Sequence, residues 1–462
     1  MKHDLVVIGG GSGGITAAVF AAELGVDVAL VEQSPEHLGG ECLRNGCVPS
    51  KALLHAANTA HTARQASDLG LRVSGSPDWE TVRQHIEDAQ DTIGENESQD
   101  WLEQQGVELH YGEATFRDER VIDVNDTRVK AQNIILATGS KPSLPAIPGV
   151  KQAPSYTNET IFKIDTQPRR LLVVGGGPLG CEIGQAFSRL GSTVTIVERG
   201  QRLLSRDPEQ AGERLLSQFE NEGITVHLDD SVERLTESKA HLDSGTSIEY
   251  DAVLLATGRS PNTDGLALEA ANISTENGYP EVDEYLQTTN NNVYAVGDLT
   301  GSYQLSHAAA YEATTVVKNL VLPYNETISY DNMPWVTYTD PSVASFGHLP
   351  ESLDESAYRY DKVPLRFNES DRAIIEQDEG WGEVYVTGRQ IRGGCVVSRQ
   401  AEHIVQDLLT AQQNDLQTTD IIGKTYPYPS QASVVKESLL YHIRDSLPSM
   451  IRPIARFMYR YL

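Results

Sequence analysis

Hydrophobic and polar positions follow one arrangement at two places in the chain. The stretch 4–32, DLVVIGGGSGGITAAVFAAELGVDVALVE, contains an apolar run, a glycine-rich turn, a helical pattern and a second apolar run that ends in an acid. The stretch 170–198, RLLVVGGGPLGCEIGQAFSRLGSTVTIVE, repeats this order. In both stretches the first glycine and the closing glutamate lie 23 residues apart. The pattern predicts two βαβ units of one kind.

The remaining pattern predicts the surroundings of these two units. Each is followed by an apolar strand that ends in Ala-Thr-Gly, at 133–142 and 252–262. A further strand, turn and helix is predicted over 291–321. Beyond Met333 the pattern favours antiparallel strands, with helices from Glu402 onward. We therefore expect an α/β protein with two Rossmann-like dinucleotide-binding domains and a C-terminal α+β domain.

Both glycine turns carry the chemistry of a dinucleotide site. Glycines at the start of a helix allow a tight turn and bring backbone N–H groups to a pyrophosphate. An acid at the end of the next strand accepts hydrogen bonds from a ribose diol. A glycine-rich turn alone would be weak evidence, but here the strand, the helix and the acid are all present. The predicted binding residues are Gly9, Gly11, Gly14 and Glu32 in the first unit, and Gly175, Gly177, Gly180 and Glu198 in the second.

Two charged residues of the second unit indicate which coenzyme it prefers. Glu198 at the ribose position favours NADH, since a carboxylate repels the 2′-phosphate of NADPH. Arg199 stands next to it and has the opposite effect. On local charge we favour NADH and leave NADPH open.

Composition and charge exclude several classes of protein. The formal net charge of −28 argues against non-specific binding of nucleic acid. We find no apolar run long enough to span a membrane and no signal peptide at the N-terminus. We therefore expect a cytoplasmic protein, in which a close pair of cysteines is more often catalytic or metal-binding than structural.

Two of the four cysteines, Cys42 and Cys47, lie in the stretch GGECLRNGCVPSK. Five residues at the start of a helix can bring two Cα atoms to the ~4.4–6.8 Å that a disulfide needs. A helix N-terminus also stabilises the reactive thiolate. The alternatives are two buried structural cysteines, as we expect for Cys181 and Cys395, or a zinc site. No second pair of ligands stands at suitable spacing, so no metal site is predicted.

Two dinucleotide folds and a cysteine pair suggest a nicotinamide, a flavin and a disulfide acting in series. GGECLRNGCVPSK, ATGRSPN and VYAVGD together make the chain resemble the pyridine nucleotide-disulfide oxidoreductases over essentially its whole length. That family includes dihydrolipoamide dehydrogenase, glutathione reductase and mercuric reductase. The resemblance implies an enzyme that is a homodimer, with FAD and NADH or NADPH as cofactors. It also implies four segments, which are 1–148 and 266–331 for FAD, 149–265 for NAD(P) and 332–462 for dimerisation.

The resemblance assigns roles to the cysteine pair and its surroundings. Cys42 corresponds to the interchange thiol that meets the substrate, and Cys47 to the thiol beside the flavin, the two forming a redox-active disulfide. Lys51 corresponds to a lysine near the flavin that pairs with a glutamate, here Glu182. A paired cation favours the electron-rich reduced flavin.

The same resemblance places the rest of the flavin site. Asp298, at the end of VYAVGD, corresponds to the acid that binds the ribityl chain. The helix that we expect to begin near Ser306 would point its N-terminus at the flavin. His307 lies in its first turn, as a packing or capping residue rather than an acid–base catalyst. Gly139 and Gly258 close the Ala-Thr-Gly stretches and are also expected to lie at the cofactors.

The informative departures concern the electron acceptor. Where the dithiol–disulfide enzymes carry a His…Glu dyad from the partner subunit, this chain has Tyr428 and Ser433. A phenol is a poor proton shuttle at neutral pH, and mercuric reductase-like proteins carry a tyrosine here. Glu41, where relatives often have threonine, would raise the pKa of the neighbouring thiol or attract a cation.

We therefore predict transfer of electrons from NAD(P)H to a small acceptor, either a thiophilic metal ion or a disulfide. Dihydrolipoamide dehydrogenase-like chemistry and a slow redox sensor are the alternatives. The basic tail, with Arg452, Arg456 and Arg460 on one helix face, is more consistent with docking on the protein itself than with membrane contact.

Overall fold

The computed structural model describes residues 1–355, 359–446 and 458–459. The three arginines of the basic tail lie outside these residues, so its expected helix face is not described. The chain divides into two compact units. The first comprises Met1–Gln201 and Phe219–Ser329, and the second comprises Arg202–Gln218 and Tyr330–Leu462.

The strands of the described residues, in chain order, are β1 (Lys2–Ile8), β2 (Val28–Glu32), β3 (Glu108–Tyr111), β4 (Ala114–Asp118), β5 (Val121–Val124), β6 (Thr127–Leu136), β7 (Ser140–Pro142), β8 (Ser155–Tyr156), β9 (Arg170–Val174), β10 (Thr193–Val197), β11 (Thr225–His227), β12 (Val232–Leu235), β13 (Lys239–Leu242), β14 (Ser247–Glu249), β15 (Ala252–Leu255), β16 (Arg259–Pro261), β17 (Thr275–Glu276), β18 (Tyr279–Pro280), β19 (Val293–Ala295), β20 (Pro334–Thr337), β21 (Ser342–Gly347), β22 (Asp361–Pro364), β23 (Trp381–Thr387) and β24 (Gln390–Ser398). The helices are α1 (Ser12–Glu23), α2 (Gly40–Arg44), α3 (Cys47–Gln65), α4 (Trp79–Gly94), α5 (Gln99–Gln104), α6 (Pro178–Leu190), α7 (Glu209–Asn221), α8 (Ser306–Val321), α9 (Pro350–Glu355), α10 (Asp371–Glu376), α11 (Ala401–Gln413), α12 (Thr418–Gly423) and α13 (Ser433–Ser446).

The first unit contains two large sheets with parallel strands at their centres. One has the strand order β3-β2-β1-β6-β5-β4, and β19 also pairs with β6. Its central strand β1 is parallel to β2 and β6, while β4, β5 and β6 form an antiparallel meander. Val6 and Val7 face opposite sides of β1, and both are fully buried. Apolar residues therefore run without alternation through the end of this strand, because both faces of the sheet are covered.

The other sheet has the order β11-β10-β9-β15-β8, and all of its strands are parallel. Helix α6 packs against β9 and β10, and it also contacts α3 of the first βαβ region. The two repeated sequence patterns thus form the cores of two neighbouring Rossmann-like sheets. The predicted fold class is confirmed.

The second unit is an antiparallel sheet, with strand order β20-β21-β24-β23-β22, covered by α11. Its core includes Val396 and Phe346 from the sheet and Leu408 from the helix, all fully buried. Cys395 is buried in this sheet and Cys181 is buried in α6, as expected for small core residues. Across the described residues, no helix has the length and apolar character that spanning a membrane requires.

Candidate active site

The first glycine turn joins β1 to α1. Gly9 has φ +105°, and Gly11 is the N-cap of α1. A Cβ placed on Gly14 would lie 1.8 Å from the Gly9 carbonyl oxygen, so only glycine lets the helix start against this turn. Glu32, the last residue of β2, accepts the Gly10 N–H at 2.6 Å. The carboxylate is therefore held beside the turn, where the sequence predicted it.

The second turn repeats this geometry. Gly177 is the N-cap of α6, and a Cβ on Gly180 would lie 2.0 Å from the Gly175 carbonyl oxygen. Glu198 follows β10 and accepts the Gly176 N–H at 2.6 Å and the Gly200 N–H at 2.7 Å. Arg199 is exposed. Each site thus has the same kind of hydrogen bond, from a backbone N–H of the turn to the acid, although 166 residues separate Glu32 from Glu198.

The two Ala-Thr-Gly stretches meet each other. Gly139 precedes β7 and Gly258 precedes β16, and these strands pair antiparallel. The Gly139 carbonyl accepts Asn262 N–H at 2.9 Å, and the Gly258 carbonyl accepts Ser143 N–H at 2.9 Å. The structure therefore joins both βαβ units through this two-stranded sheet, which the sequence did not predict.

The cysteine pair spans a junction between two helices. Cys42 lies in α2, and Cys47 is the first residue of α3. Gly46 separates them with φ −123° and ψ −113°, so the pair does not sit at the start of a single helix as the sequence suggested. A Cβ on Gly46 would lie 2.9 Å from the Glu41 carbonyl oxygen. The glycine therefore permits the close approach of α2 and the start of α3, which carry the thiols.

The two thiols differ strongly in acidity. A hydrogen bond from the Cys42 thiol lowers the pKa of Cys47 to about 6, against the effect of burial, and Ser306 and the charge of Lys51 act in the same direction. The Ser306 hydroxyl lies 3.5 Å from the Cys47 sulfur. The same thiol–thiolate hydrogen bond, with burial, raises the pKa of Cys42 well above its usual range. At neutral pH the reduced pair therefore carries one thiolate, at the N-terminus of α3.

Lys51 lies one turn further along α3. Its Nζ donates to Glu182 Oε2 at 2.8 Å, and the Glu182 side chain is 5% exposed. Glu182 belongs to α6. The predicted lysine and glutamate are thus brought together, and a nearly buried carboxylate is compensated by a half-exposed ammonium.

Glu41 has partners that the sequence did not reveal. Its carboxylate accepts hydrogen bonds from the Arg259 guanidinium and from the Asn158 side chain. Burial raises the pKa of Glu41, and Arg259 opposes this effect. The structure therefore shows that Glu41 attracts a cation, which is the arginine of ATGRSPN.

Arg259 also reaches the acid of VYAVGD. Its Nε lies 3.4 Å from Asp298 Oδ2, and both groups contact Ser140, whose hydroxyl donates to Asp298 and accepts from Arg259. Asp298 lies in a 3₁₀ turn just before α8. His307 is the second residue of α8 and is exposed. The helix begins at Ser306, as predicted.

Tyr428 lies in the second unit, where its hydroxyl donates to Asp371 Oδ2 at 2.7 Å. This hydrogen bond to a carboxylate raises the pKa of the phenol above its ordinary value. Ser433 begins α13, and its hydroxyl donates to the Ser430 carbonyl at 2.8 Å. The two residues therefore do not form a carboxylate-oriented imidazole, and Tyr428 is a phenol bound to Asp371 instead.

Comparisons with known proteins give one family. The model of the pyridine nucleotide-disulphide oxidoreductases matches residues 3–313, and that of their dimerisation domain matches residues 333–439. A mercuric reductase of Staphylococcus aureus is 32% identical over 461 residues, covering 96% of this chain and 83% of the relative. A dihydrolipoyl dehydrogenase of Chlamydia muridarum is 30% identical over 457 residues, covering 96% and 97%.

Among solved structures, the Cu(II) complex of the HOCl-induced flavoprotein disulfide reductase RclA from Escherichia coli superposes with a TM-score of 0.84. It is 25% identical and covers 94% of this chain and 98% of that structure. The chain belongs to the pyridine nucleotide-disulphide oxidoreductase family. It is therefore an FAD-dependent oxidoreductase that uses a pyridine nucleotide, and it carries the dimerisation domain of the family.

The residues present fit these cofactors. The N-terminus of α1 would offer backbone N–H groups to the pyrophosphate of FAD, and Glu32 would offer a carboxylate to a ribose. The N-terminus of α6 would likewise offer backbone N–H groups to the pyridine nucleotide, and Glu198 would offer a carboxylate. A Cβ on Gly177 would meet no atom within 4 Å, which leaves room for close approach of a ligand.

Proposed function

We propose that the enzyme oxidises a reduced pyridine nucleotide and delivers two electrons, through Cys42 and Cys47, to a small thiophilic acceptor. The setting of Cys47 is the observation that carries this proposal: it begins α3, the Ser306 hydroxyl lies 3.5 Å from its sulfur, and Lys51 lies one turn further along, so this thiol is the one held as a thiolate. Bound FAD supplies the two-electron chemistry between the nicotinamide and the cysteine pair. Cys47 holds the thiolate, and Cys42, whose thiol is protonated until a base or a metal ion removes the proton, meets the acceptor.

The charges around the pair support this division of roles. Lys51 stabilises the Cys47 thiolate and favours negative charge at the isoalloxazine, while Glu182 keeps the lysine in place. Asp298, oriented by Ser140 and Arg259, would hold the ribityl chain. The N-terminus of α8 would face the flavin, with Ser306 directed at the Cys47 sulfur.

A thiophilic metal ion is the favoured acceptor. Exchange between dithiols and disulfides needs a base that takes up a proton, and a well-matched base contributes about 10²–10⁴-fold. Tyr428, with its pKa raised by Asp371, is a poor base at neutral pH. A metal ion needs thiolate ligands instead of a proton relay. The mercuric reductase relatives and the copper complex of the solved neighbour support this choice.

A disulfide of the lipoamide type is the second candidate. The Chlamydia muridarum dihydrolipoyl dehydrogenase supports it, since the match covers nearly the full length of both chains. For the donor we favour NADH because of Glu198. We further propose a cytoplasmic homodimer in which Tyr428 acts at the partner's site.

A panel of acceptors tests the proposal. We would measure oxidation of NADH and NADPH with Hg(II), Cu(II), lipoamide, glutathione disulfide and a quinone. We expect the metal ions to outperform both disulfides in wild type, and Cys42→Ser to lose metal reduction while quinone reduction directly at the flavin persists. Metal reduction that survives in Cys42→Ser would contradict the role of the pair.

A further inference from the structure

A second cluster of polar side chains shares no residue with the candidate active site. It consists of His3 on β1 and of Glu108 and His110 on β3. One ligand atom from each residue lies within 4.8 Å of the other two. His3 is 5% exposed, and the side chain of His110 is 12% exposed, whereas that of Glu108 is half-exposed. The cluster thus combines two buried imidazoles with a carboxylate that solvent can reach.

Within the described part of the chain, neither imidazole makes a hydrogen bond at Nε2. Among the described residues, the Nε2 atoms of His3 and His110 are buried without a hydrogen-bond partner. Nε2 of His110 lies 3.1 Å from Glu108 Oε1, but without the geometry of a hydrogen bond. Leaving such a buried atom without a hydrogen bond destabilises the folded protein. The two ring centroids lie 6.0 Å apart beside this carboxylate, an arrangement in which one cation could contact all three side chains.

The other nitrogen of His3 is already occupied. Nδ1 lies 3.2 Å from Asp27 Oδ1, just before β2. A carboxylate on one ring nitrogen fixes the tautomer so that the other nitrogen presents a lone pair, as in many zinc sites.

We propose that His3, Glu108 and His110 form a binding site for a divalent transition-metal ion of the zinc type. Two imidazoles and one carboxylate suit Zn²⁺, and they do not suit Ca²⁺ or Mg²⁺, which prefer oxygen ligands. The ligands of a tetrahedral ion lie ~3.3 Å apart, so an ion would draw these three atoms, which lie within 4.8 Å of one another, closer together. A fourth position remains for water. The ion would link β1 to the edge strand β3 and stabilise the fold, independently of the acceptor that the enzyme reduces.

Zinc binding to the full-length FAD-loaded protein tests this site. Because Cys42 and Cys47 would also bind zinc, the background is the Cys42→Ser/Cys47→Ser double variant. We would measure bound Zn²⁺ by elemental analysis after chelation, reloading and desalting, together with the midpoint of thermal unfolding. The added variants are His110→Gln and the half-exposed Glu108→Gln, and His403→Gln is the control because its side chain is 74% exposed.

We expect one equivalent of zinc in the background variant and in the His403→Gln control, with a higher unfolding temperature when zinc is present. His110→Gln should lose the bound zinc and the thermal shift, and Glu108→Gln should weaken both. Equal zinc content in the background and in His110→Gln would overturn the proposal, as would a background variant that retains no zinc. Glu108→Gln keeps the test decisive if the buried His110 substitution prevents folding.

Discussion

Lys51 Nζ lies 2.8 Å from Glu182 Oε2, and this ion pair joins the helix that starts at Cys47 to the first helix of the second dinucleotide unit. The two charges act on the Cys47 thiolate with opposite sign. Lys51 lowers the pKa of Cys47, and Glu182 raises it.

Substitutions of Lys51 and of Glu182 should therefore shift the pKa of the Cys47 thiol in opposite directions. Lys51→Met should raise the pKa of Cys47, and Glu182→Gln should lower it, each by up to about one unit because the lysine is partly exposed. The measurement is the pH dependence of alkylation of the reduced enzyme. Shifts of the same sign in both variants would contradict the assignment.

The hydrogen bond between the thiols can be tested by itself. Cys42→Ala removes the donor, so the pKa of Cys47 should rise from about 6 by about 1–2, since a hydrogen bond to a charged group is worth ~1.5–3 kcal/mol. Cys42→Ser keeps an O–H donor and is the matched control, for which the pKa should stay low. In the alanine variant the Cys47 thiol should stay protonated up to a higher pH. Alkylation at neutral pH should therefore be slower. An unchanged alkylation profile in Cys42→Ala would show that another group sets the acidity.

The pair formed by Glu41 and Arg259 is expected to stabilise the site rather than tune the thiols. Glu41→Gln and Arg259→Gln should each lower the apparent unfolding temperature by a few degrees, and the double variant should lose less than the sum, since residues in contact couple by ~0.5–3 kcal/mol. Lys141→Met, which breaks the exposed pair with Asp264, should have little effect. Two results would be inconsistent with this role. One is a loss of unfolding temperature in the double variant that equals the sum of the single losses, and the other is a shifted pKa of Cys47, measured by alkylation, in Glu41→Gln.

The sequence predicted much of this site because its main parts are local. The glycine turns, the acids that follow the next strands and the Cys42–Cys47 spacing each lie within about one βαβ unit, where pattern and chemistry coincide. The partner of Glu41 is 218 residues away in Arg259, and no periodicity relates the two positions. The pairing of β7 with β16 and the meeting of His3 with His110 are likewise products of tertiary packing. Gly46, which separates α2 from α3, was visible in the sequence, but its backbone conformation was not.

The coenzyme preference depends on Glu198. In wild type we expect a higher kcat/KM with NADH, and Glu198→Ala should shift the preference toward NADPH by roughly tenfold or more, as expected for loss of a charge-assisted hydrogen bond. Arg199→Ala should shift it toward NADH. A wild-type preference for NADPH would mean that Arg199 outweighs Glu198.

Tyr428 should matter to the acceptor and not to the donor. Tyr428→Phe removes the hydroxyl that donates to Asp371. We expect this variant to reduce metal ions more slowly. The rate of flavin reduction by NADH, measured in stopped-flow experiments, should be unchanged. A slower flavin reduction in this variant would contradict the prediction, because it would mean that the tyrosine acts in the step from NADH to the flavin.

The most direct test of the account is steady-state turnover of the wild-type enzyme with NADH and saturating Hg(II), compared with lipoamide and glutathione disulfide under the same conditions. The account predicts that the metal ion is reduced faster than either disulfide, because the thiol pair is intact whereas Tyr428 and Ser433 provide no proton relay. Fast turnover with either disulfide, equal to or above that with the metal ion, would contradict it.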